Sequence, residues 1–355
     1  MNKKQAHNVV PICTVLVPLK DNVHRTRHFL RHNNFPQFQY LFADGSFGQE
    51  NETLIKSHGS PNFTYTRYPA DATLEMYLQK IRMASVSIKT PFMMTMDAGD
   101  YLSPFGVDVA IERLIADTSA ATAGGDLFFT REIGPFVTKP FLGNSASHLS
   151  NLSMDEALVQ IRREYSQLWY AIHRTEVFKS TWSIMAKEMF RHPYMEYFPT
   201  VSALAHGIYI DTNVPTLLRV IHGPKSWTKQ SNDFHEDRLD VGISAKTKEF
   251  ADRCYELLEV SSNVVFEAFE QNAEAIFQAT SRQTLGPIWF QRIMPSENAV
   301  KKFPFLFNIE RAIGHYAGLI LPGSLHGRYF SILRWSLKRS QINKFRKEPD
   351  LVTLT

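Results

Sequence analysis

The stretch Thr90–Pro104, TPFMMTMDAGDYLSP, is an apolar run that ends abruptly in two aspartates. An apolar run between Pro91 and Gly99 is typical of a strand buried on both faces, which belongs in a covered parallel sheet. Asp97 then stands at the carboxyl end of the strand, where open α/β sheets bind ligands. Asp97 and Asp100 together can hold a hard cation such as Mg²⁺ or Mn²⁺. The same residues also suit an ordinary turn, because Asp and Gly favour turns.

The residues before this stretch alternate between strand and helix patterns. Strands are predicted at Val9–Leu19, Phe38–Ala43 and Phe63–Tyr68, and helices at His28–Asn33 and Leu74–Ile88. The connections are long enough for right-handed crossovers, so the pattern predicts a parallel, doubly wound α/β sheet. A further carboxylate, Asp44, ends the second of these strands and is followed by Gly45 and Ser46.

The pattern after Pro104 continues as α/β and then becomes helical. Helices are predicted at Val107–Ala116, Met154–Arg163 and Arg174–Met185, and a further long helix after Tyr197 runs through Ala205 and ends at Gly207. Strands are predicted at Ala121–Phe129, Leu168–His173, Ile208–Asp211 and Thr216–Ile221. The segment Glu132–Ser153 has little periodicity and indicates a functional loop. The sequence therefore predicts an α/β domain over residues 1–227, a linker over 228–245 and a helical C-terminal region over 246–355.

Composition favours a cytoplasmic protein. Hydrophobic residues make up 44% of the 355, enough for a large core, yet no run approaches 18 consecutive apolar residues, so no membrane span is expected. The N-terminal residues show no signal-peptide pattern, so secretion is not expected either. Cys13 and Cys254 are too few for a disulfide framework and lack metal-type spacing. Both are expected to be buried thiols in a reducing compartment.

Basic charge is concentrated near the C-terminus. The formal net charge is +4, but the segment His326–Lys347 carries seven Lys and Arg residues and no acid. Its basic and apolar residues recur at helical intervals. Such a helix can lie on the anionic inner face of a membrane, which would suit a lipid-linked acceptor, or it can pack on the body with its charges solvated. No recognised nucleic-acid-binding module accompanies the charge, so nucleic acid is not an expected partner.

The ordered acidic motifs resemble those of the family 2 glycosyltransferases. A strand with Pro18, then Asp21 and Asn22, then a strand ending in Asp44, then Asp97, follow in that family's order over roughly residues 12–225. The resemblance implies the GT-A fold, a mostly parallel twisted sheet with helices on both faces. It also implies a nucleotide-sugar donor, most simply a uridine-diphosphate sugar, bound at Pro18, Asp21, Asn22, Asp44 and Asp97, and a glycan or lipid-linked acceptor.

The resemblance further implies an inverting, metal-assisted hexosyl transfer. Glu196 falls where the family places its general base, and His222 falls where a histidine can help to hold Mn²⁺ or Mg²⁺ beside Asp97. Gly99 departs from the family's pattern, which commonly has aspartate there. Either Asp100 reaches the metal instead, or coordination is weaker and donor-binding cations such as Lys80 or Arg82 neutralise part of the diphosphate charge. The first alternative is the preferred prediction.

Each of these residues also has an ordinary structural role. Asp44 suits a turn, Glu196 a helix start, His222 a loop, and Lys80 the solvated face of a helix. A non-catalytic nucleotide- or carbohydrate-binding module on the same fold therefore remains an alternative to the enzyme. Nucleotidyl transfer would call for a glycine-rich basic loop, and residues 18–27 contain no glycine.

Overall fold

The computed structural model describes residues 11–133, 136–137, 141–190, 194–221 and 243–270. The strands are β1 (Cys13–Leu19), β2 (Phe38–Asp44), β3 (Phe63–Arg67), β4 (Phe92–Thr95), β5 (Tyr101–Leu102), β6 (Ala120–Gly124), β7 (Leu127–Ile133), β8 (Phe136–Val137), β9 (Phe141–Asn144), β10 (Ile172–Arg174), β11 (Ile208–Asp211) and β12 (Leu217–Ile221). The predicted linker and the basic C-terminal segment lie mostly or wholly outside the described residues.

The described part of the chain contains eight α-helices and a further helical segment over 262–270. They are α1 (Val23–His32), α2 (Glu50–His58), α3 (Leu74–Ser87), α4 (Pro104–Ala116), α5 (Met154–Arg163), α6 (Thr175–Glu188), α7 (Tyr194–Ala205) and α8 (Ile243–Leu258). The side chains of Asn22, Thr73 and Ser103 accept backbone N–H groups at the starts of α1, α3 and α4. These N-caps satisfy donors that a helix start would otherwise leave unpaired.

The central sheet has seven strands in the order β11-β6-β10-β4-β1-β2-β3. Strands β4, β1, β2 and β3 are parallel, whereas β10 lies antiparallel between β4 and β6. In this register Leu19 pairs with Asp44, and Leu16 pairs with Thr95. The loops that follow β1, β2 and β4 therefore leave the same edge of the sheet side by side, which is where such sheets bind ligands.

A second, smaller sheet has the order β5-β12-β7-β8, with β9 also paired to β7. The single strand predicted over Ala121–Phe129 is wrong, because the chain leaves the first sheet after β6 and enters the second at β7. Gly125 makes this change possible, since a Cβ atom there would lie 1.8 Å from the Val214 carbonyl oxygen. The described parts of Glu132–Ser153 include the end of β7, β8, β9 and a short 3-10 helix instead of an irregular loop.

Apolar side chains cover both faces of the central sheet. One cluster joins α3, α6 and α7 through residues such as Leu78, Trp182 and Phe198, and the other joins α1 and α4 through residues such as Phe29 and Ile111. Helix α8 adds Phe250 and Cys254 to the first cluster. Among the helices that the structure describes, none has the length and hydropathy of a membrane span.

Candidate functional site

The two aspartates of the opening stretch lie on one hydrogen-bonded turn. The Asp100 N–H donates to the Asp97 carbonyl oxygen at 3.0 Å, which closes the turn over Ala98 and Gly99. Buried Asn33, at the C-terminal end of α1, fixes this turn from below: its Nδ2 donates to the Asp100 carbonyl at 2.9 Å, and its Oδ1 accepts the Leu102 N–H at 2.8 Å. The turn is therefore held at a set position at the carboxyl end of β4.

Arg219 of β12 joins the two carboxylates. Its Nη2 lies 2.6 Å from Asp97 Oδ2, and its Nε lies 3.3 Å from Asp100 Oδ2. The guanidinium also lies over the ring of Tyr170, 4.1 Å from the ring centroid, in cation–π geometry. Arg219 therefore places a positive charge between the two carboxylates of the turn.

The two carboxylates differ sharply in exposure. The Asp97 side chain is 47% exposed, whereas that of Asp100 is 1% exposed. Both Asp100 oxygens accept hydrogen bonds, Oδ1 from the Val220 N–H at 2.9 Å and Oδ2 from Arg219. Burial raises the pKa of Asp100, and the Arg219 charge opposes that rise. Asp97 is therefore open to solvent, and Asp100 holds Arg219 in place.

The loops after β1 and β2 are tied to each other. The Asp21 N–H donates to Ser46 Oγ at 2.9 Å, and Asp21 Oδ1 accepts the Phe47 N–H at 2.7 Å. Asp21 is exposed and has a positive φ of 46°, a conformation that these two bonds hold. Asn22 uses its side-chain oxygen as the cap of α1, and half-buried Pro18 lies in β1.

Asp44 is fully buried beneath these loops. Its Oδ1 accepts from the Ser46 N–H at 2.9 Å and from Ser46 Oγ, and its Oδ2 accepts from Tyr65 Oη at 2.8 Å. Arg67 donates to the carbonyl oxygens of residues 46, 47 and 48 from outside. In this arrangement Asp44 shapes the loop, and the loop presents the Phe47 ring, whose residue is 67% exposed.

Lys80 is buried, in contrast to the solvated role usual for helix lysines. Its ammonium forms an ion pair with Asp71 and donates to the Leu19 carbonyl at 3.1 Å, while Lys20 Nζ donates to the Asp71 carbonyl at 2.6 Å. Burial lowers the pKa of Lys80 and raises that of Asp71, and each charge offsets part of the other's shift. Lys80 thus anchors the end of β1, close to the Asp21 loop.

Glu196 lies on a separate element, in the first turn of α7. Its residue is half-buried, and its backbone carbonyl accepts a hydrogen bond from Tyr165 Oη at 3.2 Å. Burial raises the pKa of Tyr165, and the Glu196 charge raises it further. His222 lies outside the described residues. The structure thus joins Asp97 to Asp100 and Asp21 to the Asp44 loop, and it places Glu196 on α7 beside Tyr165.

Sequence patterns gave no role to Arg219, which lies between the two aspartates and against the Tyr170 ring. The available signal was a lone arginine in the apolar strand segment Thr216–Ile221, because a charged residue in such a strand needs a partner when it is buried. Within the described ranges no three His, Cys, Asp or Glu side chains lie grouped as metal ligands. Asp97 and Asp100 therefore form a two-carboxylate cluster with an arginine between them.

The sheet order, with its antiparallel strand beside β4 and an acidic turn at the carboxyl end of β4, defines a GT-A-like α/β fold. Residues 1–349 of S. aureus TarS, solved in complex with UDP-GlcNAc, are similar to this chain, with a TM-score of 0.51 and 13% sequence identity over 77% of this chain and 75% of that one. At this identity the likeness establishes the fold.

Two further TarS structures are also similar in part. One, again of residues 1–349, has a TM-score of 0.49 and 12% identity over 94% of this chain and 91% of that one. The other has a TM-score of 0.42 and 13% identity over 68% of this chain and 43% of that one. No family model and no curated protein matches the sequence.

Proposed function

We propose that this protein is an inverting glycosyltransferase that uses a nucleoside-diphosphate sugar, of the uridine type, and a hydroxyl acceptor. The observation that carries the proposal is the acidic turn: Asp97 lies exposed at the carboxyl end of β4, at the same sheet edge as the tied loops after β1 and β2. A donor can lie across this edge, with its base at the tied loops and its diphosphate at the turn. The GT-A-like fold supports this arrangement.

Asp21 is the better placed carboxylate for the base end of the donor. It is exposed and held by Ser46 and Phe47, whereas Asp44 is buried with both oxygens engaged. A carboxylate oxygen can accept the imide N–H of uracil or a ribose hydroxyl. In the proposed complex Asp21 contacts the base or ribose, and Asp44 keeps the loop in shape.

A divalent cation fits the acidic turn at Asp97. Mg²⁺ and Mn²⁺ commonly keep several waters and bind through one or two carboxylates plus substrate phosphates, so one exposed carboxylate suffices when a diphosphate is present. Asp97 would hold the cation, and His222 is the proposed further ligand. Asp100, buried and engaged by Arg219 and Val220, fits a supporting role better than direct coordination. When bound, the cation compensates the charge of the leaving diphosphate.

Transfer with inversion needs a base for the acceptor hydroxyl. As the acceptor oxygen bonds to the anomeric carbon, the bond from that carbon to the diphosphate oxygen breaks, and the acceptor proton passes to a carboxylate. We assign this role to Glu196. Glu196 lies half-buried in the first turn of α7, and its backbone carbonyl is held by Tyr165 Oη.

A non-catalytic binding module remains the second candidate, because Arg219 neutralises the acidic pair and Gly99 stands in place of a third aspartate. Turnover separates the two candidates. The enzyme slowly releases UDP from a UDP-sugar with water as acceptor, whereas a binding module retains the sugar nucleotide intact. Chromatography of the nucleotide after prolonged incubation distinguishes these outcomes.

The Asp97→Asn variant tests the diphosphate and cation end of the site. We expect UDP with Mn²⁺ to raise the Tm of the natural protein more than UDP alone, because the cation should lower the Kd for UDP. A ligand at a hundredfold excess over its Kd stabilises a folded protein by about 2.7 kcal/mol. This extra shift should be lost in Asp97→Asn and kept in the control Asp155→Asn, a change at an exposed helix-start aspartate. An equal shift in Asp97→Asn would contradict the assignment.

The Phe47→Ala variant tests the base end. A base stacked on an aromatic ring contributes about 1–3 kcal/mol, so the Kd for UDP should rise roughly 5- to 150-fold. The Kd for inorganic pyrophosphate should stay unchanged, because it lacks a base. Phe105→Ala, at an exposed phenylalanine of α4, is the matched control for both titrations. An unchanged Kd for UDP, or an equal loss for pyrophosphate, would rule out stacking at Phe47.

A further inference from the structure

The Arg219 guanidinium lies against Asp97 Oδ2, one of the two oxygens with which Asp97 would hold a cation. Its Nη2 lies 2.6 Å from Asp97 Oδ2, and arginine keeps its positive charge at any physiological pH. A divalent cation at the same carboxylate would meet this fixed positive charge at close range. Arg219 and the cation therefore compete for Asp97.

The two contacts of Arg219 differ in a way that allows one of them to break. Nε faces the Asp100 carboxylate, which is 1% exposed, while Nη2 faces the half-exposed Asp97 carboxylate. The Tyr170 ring supports the guanidinium plane at 4.1 Å. A small rotation of the guanidinium can release Nη2 from Asp97 while Nε stays with Asp100. The released N–H groups can then donate to a phosphate oxygen, an acceptor that arginine binds well.

We propose that Arg219 is a counterion-exchange residue. Without nucleotide it neutralises Asp97 and keeps divalent cations weakly bound. When a nucleoside diphosphate arrives, Arg219 turns to the diphosphate, and the cation takes its place at Asp97, so cation and nucleotide bind cooperatively. The nucleotide half of this inference rests on the proposed function, whereas the competition between Arg219 and a cation does not.

The test is a titration with Mn²⁺ alone, followed by electron paramagnetic resonance, of the full chain without nucleotide. We expect Arg219→Met to bind Mn²⁺ at least about tenfold more tightly than the natural protein, since the competing charge is gone. Arg113→Met, an exposed change on α4 with the same loss of charge, should leave the affinity unchanged. The tighter site should disappear in Arg219→Met/Asp97→Asn.

Removing Arg219 leaves buried Asp100 without its counterion, so a second variant guards against misfolding. Arg219→Met/Asp100→Asn removes both charges and should also bind Mn²⁺ more tightly than the natural protein. If both folded variants bind Mn²⁺ no more tightly than Arg113→Met does, Arg219 does not compete with the cation for Asp97.

The same titration with UDP present tests the exchange itself. Coupling between two ligands is reciprocal, so UDP should tighten Mn²⁺ binding strongly in the natural protein and much less in Arg219→Met. If UDP tightens Mn²⁺ binding equally in both proteins, Arg219 does not exchange with the cation at Asp97. Failure of the natural protein to bind UDP at all would instead contradict the proposed function, and the comparison with Mn²⁺ alone would still decide the competition.

Discussion

Replacing Lys80 with methionine is expected to lower the free energy of unfolding by about 3–5 kcal/mol, because the change leaves a buried carboxylate without its charge partner. The side chains of Lys80 and Asp71 are 0% and 2% exposed, and Asp71 Oδ1 has no hydrogen-bond partner among the residues that the structure describes. Domains are commonly stable by only about 5–15 kcal/mol, so this loss is large. Urea denaturation followed by circular dichroism measures it.

Two comparisons give this result its meaning. Lys80→Met/Asp71→Asn removes both charges and should recover most of the lost stability, since no ion is then left unpaired. Lys56→Met breaks an exposed pair with Glu52 and should cost less than about 1 kcal/mol. A small effect of Lys80→Met would show that the pair is solvated. A folded double variant also reveals whether Lys80 contributes to donor affinity, as its positive charge predicts.

The second large effect is expected at Glu196. If Glu196 is the general base, Glu196→Gln should reduce the release of UDP from a UDP-sugar by roughly 10²–10⁴-fold, the usual contribution of a positioned base. The affinity for UDP and the Tm should stay close to those of the natural protein, because glutamine keeps the shape of the side chain. Coupled detection of UDP over a panel of UDP-sugars measures the release.

The control for this prediction is Glu249→Gln, at an exposed glutamate of α8. It should leave UDP release unchanged. Retained activity in Glu196→Gln would remove Glu196 from the chemistry. Equal losses of UDP affinity and of activity would assign it to donor binding instead, since a base that acts only on the acceptor contributes nothing to holding UDP.

Local sequence patterns predicted the strands around the site well, because β1, β2 and β4 are apolar runs that end at turn residues. The same patterns missed α2, whose nine residues include only two large apolar side chains, Leu54 and Ile55. They also could not give the antiparallel direction of β10, since alternation along a strand is the same in both directions. The division at Gly125 depends on contact with Val214, far away in sequence.

The sequence predicted where the exposed carboxylates of the candidate site lie, but it did not predict their contacts. The order of acidic motifs drew attention to Asp97 and Asp21, and the structure places them at one sheet edge. The sequence pattern could not show that Asp44 and Asp100 are buried and hydrogen-bonded, because their partners come close only when the chain folds. Arg219 pairs with aspartates that lie 119 and 122 residues earlier in the chain, and no local spacing encodes such a pair. Lys80 and Asp71 are near in sequence, but their burial depends on the packing around them.

The hydrogen bonds of Asn33 have a consequence for the dimensions of the site. Helix α1 begins at its cap Asn22, beside the Asp21 loop, and ends at Asn33, which is tied to the acidic turn. Its ten residues span about 15 Å, and each added or deleted residue would turn the far end by about 100°. The distance between the Asp21 loop and the acidic turn is therefore set by the length of this one helix.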